Sequence, residues 1–462
     1  MNGPVPAGEM LVVGLGTSGF AAARFLAELD DGALRHVAVV DSADGSQLRE
    51  RAETLAMLGV RVSLGVDRVD GRYSLGVVSP GIRPSTELWR SALASSEELI
   101  GELELAYRVS RGPWVAVTGT NGKTTVTSLV GHLLSSAGIP VDVAGNIGPP
   151  AISVAADAAP STLIVAEVSS FQLATTREFH PRVSVLLNIT PDHLDWHGSM
   201  EAYTEDKASV FVNQDGDDTA VIDIDDAGSA PFADRVPAQG VHVIRVSTRL
   251  LPERGAGMVG TALAIDTPSG VAHLLDRSEL RIRGDHNVSN ALAASAAAYA
   301  CGVRPEDIAA GLRTFEPIEH RLEPVTVIGG VEYVNDSKAT NPDAALKAVA
   351  AFPDRGLVVL LGGRNKDNEF GKLARVVADT GARAVTFGEA GPAIATSLEA
   401  AGVNPVRTAS MLDAVSAAKS LAATGDVVLL SPACASFDEF SDYQERGREF
   451  KRIVTSYAEE SA

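Results

Sequence analysis

The sequence predicts an α/β protein of three domains, each built on a mostly parallel sheet. Apolar, β-branched runs alternate with helix-forming segments along the whole chain, the order that crossover-connected parallel strands require. Two strand–glycine loop–helix segments, "LVVGLGTSGF" (11–20) and "VAVTGTNGKTTVTSLV" (115–130), open separate blocks. The 462 residues also exceed what one hydrophobic core ordinarily serves.

Each block justifies itself in order. The first reads strand, glycine turn and helix in "MLVVGLGTSGFAAARFLAEL", then the strands "HVAVVD" and "SLGVVSPGIRP". It closes with a helix in "ELELAYRVSRGP" and a break at Gly112-Pro113. The second block opens on "WVAVTGTNGKTT" and continues through "STLIVAEVSSFQL" and "VSVLLNITPDHLDWHG". Residues 215–283 read as strands and loops forming a small excursion on the main sheet; the alanine-rich helix "NALAASAAAYACG" and a turn at "GVRPEDIAAGL" end the block. In the third block "VEYVNDS", "GLVVLLGG", "ARAVTFG" and "DVVLLSPA" are the strands, with helices at "NPDAALKAVAAF" and "MLDAVSAAKSLAA". The expected domains are 1–111, 112–315 and 316–462.

Composition narrows the function. A hydrophobic content of 45% with 21% charged residues is the profile of a soluble globular chain. The net charge of −20 argues against a nucleic-acid partner, whose binding domains carry basic faces. The start of the chain lacks the charge and apolar core of a signal peptide, and no apolar run approaches a bilayer span, so a cytoplasmic protein without membrane insertion is expected. Cys301 and Cys434 lie far apart with no metal-ligand spacing, which fits reduced thiols.

In the first glycine loop, Gly14, Gly16 and Gly19 form G-x-G-x-x-G between a strand and a helix, and Asp41 ends the next strand. This Rossmann-like pattern lets backbone approach a diphosphate at a helix N-terminus, with the acid available to a ribose hydroxyl. Ser79 and Gly81 in "VVSPGIRP" belong to the same sheet edge. Alone, the loop suggests an NAD-dependent oxidoreductase, with a tight strand-to-helix turn without ligand as the lesser alternative. Nothing downstream resembles a nicotinamide site.

The second loop departs from G-x-x-x-x-G-K-[ST] by having Val117 at the first glycine position, with Gly119 supplying the turn. Gly119, Thr120, Asn121, Gly122, Lys123, Thr124 and Thr125 still provide backbone N–H groups for phosphate, a lysine for its charge and hydroxyls for Mg²⁺, so ATP is the expected ligand. Glu167 ends an apolar strand, where a bare carboxylate is costly unless paired, and Mg²⁺ is a natural partner.

The loop "GTNGKTT" resembles that of the Mur ligase and folylpolyglutamate synthase superfamily. "EVSSFQL" (167–173), "NITPDHLDWHGSMEAYTEDK" (188–207), "DHNVSNALAA" (285–294), "HR" (320–321), "NDSKATNP" (335–342) and "LSPACASFDEF" (430–440) follow in the family's order. The resemblance covers essentially the whole chain and is strongest to the branch that adds D-glutamate. It implies Rossmann-like outer domains around a central P-loop ATPase-like domain. It also implies ATP-dependent amide ligation, through an acyl phosphate, of D-glutamate to UDP-N-acetylmuramoyl-L-alanine in peptidoglycan precursor synthesis, with ATP and Mg²⁺ as cofactors and a monomeric enzyme.

The residues follow by resemblance. Lys123, His193 and Lys207 take catalytic positions; Thr124, Glu167, His193 and Lys207, the last as a carbamate, surround metal. Asn287, Arg321, Asp336 and Lys338 join the phosphate loop around ATP. Gly14, Gly16, Ser18, Gly19, Asp41, Ser42, Ser79, Gly81, Asn146 and Ser169 contact the UDP substrate. Thr340, Lys366, Ser436, Phe437 and Tyr443 receive D-glutamate, helped by a helix expected to start near Ser436. The segment "GGRNK" carries Arg364 and Asn365 where the family has a shorter glycine turn. Cys434 reads as packing. Closure of the third domain on the second is expected to keep water from the acyl phosphate. A sister ligase for another amino acid and a non-catalytic nucleotide-binding regulator remain alternatives at this stage. No "DNPR" segment of the diamino-acid enzyme is present, and a pure binder has no need of the metal set.

Overall fold

The computed structural model describes residues 3, 5–353, 355–365 and 368–460. Its chain divides into two compact units, one of residues 1–279 with 289–313 and one of residues 280–288 with 314–462. The first unit holds two sheets and the second unit one.

The first sheet contains β1 (Gly8–Val13), β2 (Arg35–Asp41), β3 (Arg61–Leu64), β4 (Leu75–Val78) and β5 (Leu99–Gly101) in the order β3-β2-β1-β4-β5. All its ladders are parallel. Met10 to Val13 are buried without alternation, as expected of a strand covered on both faces. The order reverses between β1 and β4, so the carboxyl ends of those strands flank a topological switch point, where ligands of open α/β sheets bind. The expected strands appear. β3 and β5 were not expected, because β3 is a half-exposed four-residue edge and β5 has three residues.

The helix Glu102–Val109 follows, and Tyr107 packs edge-on against Trp114 and Phe179 of the next block. Its buried acids are capping groups. Glu102 Oε1 accepts the Ile152 N–H at 2.7 Å, at the start of the helix Ala151–Ala155. Glu104 accepts the N–H groups of Arg177, Glu178 and Phe179, and Arg108 Nε donates to it at 3.1 Å.

The second sheet contains β6 (Trp114–Thr118), β7 (Val141–Gly145), β8 (Leu163–Glu167), β9 (Val183–Leu186), β10 (Thr219–Asp223), β11 (His242–Val246), β12 (Ala256–Val259), β13 (Ala262–Thr267) and β14 (Gly270–Asp276). Its order is β14-β13-β12-β11-β10-β9-β6-β8-β7, parallel from β7 to β12 and antiparallel beyond. Residues 215–283 therefore extend the main sheet, as the strand-rich reading anticipated. "GVRPEDIAAGL" is not a turn but carries the helix Pro305–Thr314. Proline suits its first position, Glu306 and Asp307 favour its N-terminus, and Ile308, Ala309 and Leu312 are buried.

In the second unit, β15 (Glu323–Ile328), β16 (Val331–Asn335), β17 (Leu357–Gly362), β18 (Arg383–Phe387), β19 (Val406–Arg407) and β20 (Val427–Ala433) are ordered β15-β16-β20-β17-β18-β19. Only the β15 edge is antiparallel. Val359 and Leu361 face one apolar cluster, and Val358 and Leu360 the other. No helix begins near Ser436: the Glu439 and Phe440 N–H groups close a single turn on the Ser436 carbonyl, and the helix starts at Tyr443. Among the described residues no helix is long and apolar enough to cross a membrane.

Candidate active site

The glycine loop after β6 is held by the segment after β9. Asn188 is central: its carbonyl accepts the Thr120 N–H and its Oδ1 the Asn121 N–H, each at 2.8 Å. Thr120 Oγ1 meets the Tyr203 hydroxyl at 2.9 Å and accepts the Thr190 N–H at 2.9 Å. Gly122 has φ +88°, and a Cβ there would lie 2.4 Å from Asn290 Oδ1. The 14-residue helix Lys123–Ser136 then starts with its N-terminus at the loop and Gly122, which has no capping side chain, as its N-cap, a geometry suited to phosphate.

Charged groups gather around this loop. Lys123 Nζ donates to the carbonyls of Gly119 at 2.8 Å and Thr120 at 2.9 Å. Lys207, 2% exposed, donates to the same Gly119 carbonyl at 2.9 Å and sits over the Tyr203 ring. Burial first, and then the charge of Lys123, drives the Lys207 amine well below the ordinary lysine range. Glu167, at the end of β8, is 2% exposed; Thr124 Oγ1 donates to one of its oxygens at 2.8 Å and Asn146 Nδ2 to the other at 2.7 Å. Thr125 is buried beside Thr124. A buried carboxylate met by a hydroxyl and an amide, beside a loop carbonyl that accepts from Lys123 and from Lys207 of the helix Met200–Ala208, is a site that fits a hard divalent cation.

His193 takes a left-handed conformation, φ 54°, at the start of the helix Leu194–His197 and contacts the Phe171 ring edge-on. Ser169 caps the helix Ser170–Leu173 in a capping box with Gln172. His197, expected only as part of a motif, bridges Asp206 Oδ2 at 2.6 Å and Ser170 Oγ at 2.9 Å, tying the segment after Glu167 to the helix of Lys207. Asn188, Tyr203 and Asn290 were not singled out from sequence. Tyr203 had one available signal, its place four residues before Lys207 on one helix face.

At the first loop, Gly14 has φ +89° and a Cβ on Gly19 would lie 1.8 Å from the Gly14 carbonyl, while Gly16 and Gly81 face open space. Asp41 uses both oxygens on backbone, accepting the Leu15 N–H at 2.6 Å and the Ala43 N–H at 2.8 Å. Ser79 Oγ donates to the Gly14 carbonyl at 3.1 Å. Ser18 is half-buried and Ser42 exposed. Gly14, Gly16, Gly19, Asp41 and Ser79 thus form one rim.

The second unit collects a separate group. Asp336, buried, accepts from Ser431 Oγ at 2.8 Å and from the Leu322 N–H at 3.2 Å; burial raises its carboxyl to about 7. Lys338 Nζ donates to the Tyr443 hydroxyl at 2.7 Å, and the Thr340 N–H returns to the Lys338 carbonyl. Ser337 Oγ donates to the Tyr443 carbonyl at 2.8 Å. Ser436 is buried and Phe437 exposed, after an antiparallel bridge between Ala435 and Arg364. Asn287 Nδ2 donates to the Arg283 carbonyl, and Arg321 Nε is buried with no hydrogen-bond partner among the described residues. Lys366 lies outside the described residues.

The Mur ligase middle domain matches residues 117–298, and the Mur ligase, glutamate ligase domain matches residues 320–434. A protein of Pelotomaculum thermopropionicum named UDP-N-acetylmuramoylalanine–D-glutamate ligase is 43% identical over 452 residues, 97% of each chain. One of the same name from Syntrophus aciditrophicus is 40% identical, covering 97% of this chain and 98% of its own. Among solved structures, the UDP-N-acetylmuramate-alanine ligase MurC of Thermotoga maritima aligns with a TM-score of 0.58 at 19% identity, over 97% of this chain and 99% of that one. MurF of Acinetobacter baumannii aligns with a TM-score of 0.60 at 17% identity, over 89% and 90%. These distant structures share the fold. With both family domains in order and relatives matching nearly end to end, the chain belongs to the Mur ligase family, in the branch whose members carry the name UDP-N-acetylmuramoylalanine–D-glutamate ligase.

Proposed function

We infer that this chain is the ATP-dependent ligase that joins D-glutamate to UDP-N-acetylmuramoyl-L-alanine in peptidoglycan precursor synthesis. The observation that carries the reading is 43% identity across 97% of the chain to a relative of that name. The buried Thr124–Glu167 pair, with the exposed Asn146 donating to Glu167, beside Lys123 and Lys207 supports it chemically.

In the reaction, a carboxylate oxygen of the substrate attacks the γ-phosphorus of ATP and ADP departs. The D-glutamate amine then attacks the acyl carbon, loses a proton, and phosphate leaves as the amide forms. Two anions must approach in the first step, so fixed cations and N–H dipoles dominate catalysis. Gly119 to Thr125 cradle the phosphates and Lys123 neutralises them. Thr124, Glu167, His193 and Lys207 would hold Mg²⁺, which when bound screens the γ-phosphate and the incoming carboxylate. Burial, and then the charge of Lys123, disfavours the ammonium form of Lys207, which favours the lone pair that would add CO₂; one proton leaves the nitrogen and the carbamate carries the negative charge. Asn146 orients Glu167, and His193 faces the incoming amine.

The remaining assignments belong to the same proposal. Gly14, Gly16, Ser18, Gly19, Asp41, Ser42, Ser79 and Gly81 take the UDP portion, with Asn146 and Ser169 toward the reacting end. Asn287, Arg321, Asp336 and Lys338 complete the ATP site; Thr340, Lys366, Ser436, Phe437 and Tyr443 bind D-glutamate. Three domains divide near 112 and 316 in a cytoplasmic monomer, which light scattering of the purified protein checks. The functional test is phosphate release from ATP with UDP-N-acetylmuramoyl-L-alanine across a panel of amino acids. Release dependent on D-glutamate supports the reading, and dependence on another amino acid refutes it.

A further inference from the structure

The helix Tyr443–Glu460 buries a cation that the mechanism above does not use. Arg446 is 0% exposed. Its Nε donates to Ser337 Oγ at 2.9 Å, Nη1 to the Cys434 carbonyl at 3.1 Å and Nη2 to the Ser337 carbonyl at 2.8 Å. All three acceptors are neutral. Among the described residues no carboxylate lies within ion-pair distance of it. The acids that influence it, Asp336, Asp438 and Glu439, spend their oxygens elsewhere, on Ser431, on the Glu389 N–H and on the Met411 N–H. Desolvation brings the guanidinium down to about 10, yet it remains a cation at neutral pH. A buried charge without a hydrogen-bonded counterion is costly, and a fold that keeps one has a use for its field.

Its place indicates that use. Ser337 precedes the Lys338–Thr340 segment, and its hydroxyl hands the chain of bonds on to the Tyr443 carbonyl at 2.8 Å. Cys434 precedes Ser436. Gly363, φ +118°, lies directly over the guanidinium: a Cβ there would be 3.1 Å from Nη1 and 2.2 Å from the Ala435 carbonyl. One side chain of the helix that starts at Tyr443 therefore fastens the segments that lead to Thr340 and Ser436, with Gly363 packed close to it.

We propose that Arg446 is a positioning and specificity-determining residue for the amino-acid substrate, its buried charge being balanced by the two carboxylates of D-glutamate rather than by the protein. This role rests on the reading of those loops as the D-glutamate site. Arg446 fixes loop geometry through its three bonds and supplies a poorly screened positive potential beneath the pocket.

The test is steady-state kinetics of the full chain for wild type, R446Q, R446K and S337A, varying each substrate in turn. R446Q is expected to raise KM for D-glutamate on the order of ten- to a hundredfold, with KM for ATP changed less than about twofold. R446K, which keeps the charge but loses the fork, should recover part of that loss. S337A, a milder change that removes one anchor, should show the same split at smaller size even if R446Q does not fold. Equal increases in all three KM values, or a fall in kcat alone, would show a merely structural arginine and overturn the proposal. Wild-type phosphate release that does not depend on D-glutamate would instead refute the underlying reading, and this role with it.

Discussion

Replacing Glu102 by Gln should make the first unit more stable at alkaline pH and nearly neutral in effect at acidic pH. Glu102 is 2% exposed, and its described contact is the Ile152 N–H. Burial is the larger influence and raises its carboxyl to about 7 from an ordinary 4.5, against the lowering by the backbone N–H groups of Ile152 and Ala151. The unfolded chain ionises near 4.5, whereas the folded chain keeps the proton until about 7. Between those values the native state binds more protons, so stability falls as pH rises through the window. The gap corresponds to about 3 kcal/mol, present in full only above the folded value. Glutamine preserves the acceptor for Ile152 and never ionises. It should therefore recover about 2–3 kcal/mol at pH 8.5, less the lost charge-assisted bond, and close to nothing at pH 4.5. The assay is urea unfolding followed by tryptophan fluorescence, with Trp114 buried in the same packing region. If E102Q and wild type differ by the same amount at both pH values, or if E102Q is less stable at pH 8.5, the carboxyl is not buried against its charge and the reasoning fails.

Three further outcomes are expected. Gly122→Ala forces a side chain into a left-handed position 2.4 Å from Asn290 Oδ1 and should raise KM for ATP at least about tenfold, since backbone strain alone costs about 1–2 kcal/mol; equal ATP affinity in titration calorimetry would contradict this. Tyr203→Phe removes the 2.9 Å contact with Thr120 and should lower stability by about 1 kcal/mol in urea unfolding, a loss near the net worth of one buried hydrogen bond. Lys207→Met should reduce kcat by about a hundredfold or more, and wild-type activity should drop in CO₂-depleted buffer and return with bicarbonate; indifference to CO₂ in the steady-state assay argues for an unmodified amine.

The strands and both glycine loops were legible because they are local: an apolar run, a turn and a helix start lie within about 20 residues of one another. Lys123 and Thr124 declared themselves in the same way. What holds them did not. Asn188 and Asn290 reach the loop from other strands and helices, and no spacing rule connects positions 67 residues apart. Glu102 was not singled out, because its burial depends on a helix that begins 49 residues later. The helix expected at Ser436 failed for a local reason: the segment closes one turn at Phe440, and only at Tyr443 does a run of helix formers begin. Lys207 read as a surface lysine from sequence chemistry alone and only resemblance distinguished it, since desolvation is a property of the packed molecule.

The carbonyl of Gly119 accepts from the Nζ atoms of both Lys123 and Lys207. On the reading of Lys207 as a carbamate, that shared acceptor implies an order of events. While Lys123 rests there, its charge adds to burial in disfavouring the ammonium form of Lys207, and it would offer a counter-charge to a carbamate formed on that amine. Triphosphate draws Lys123 away and brings negative charge to the same place, which disfavours making a new anion next door. Carbon dioxide should therefore load the resting enzyme and nucleotide should follow, so that CO₂ tension, a variable outside the reaction equation, sets how much of the enzyme is ready before any substrate arrives.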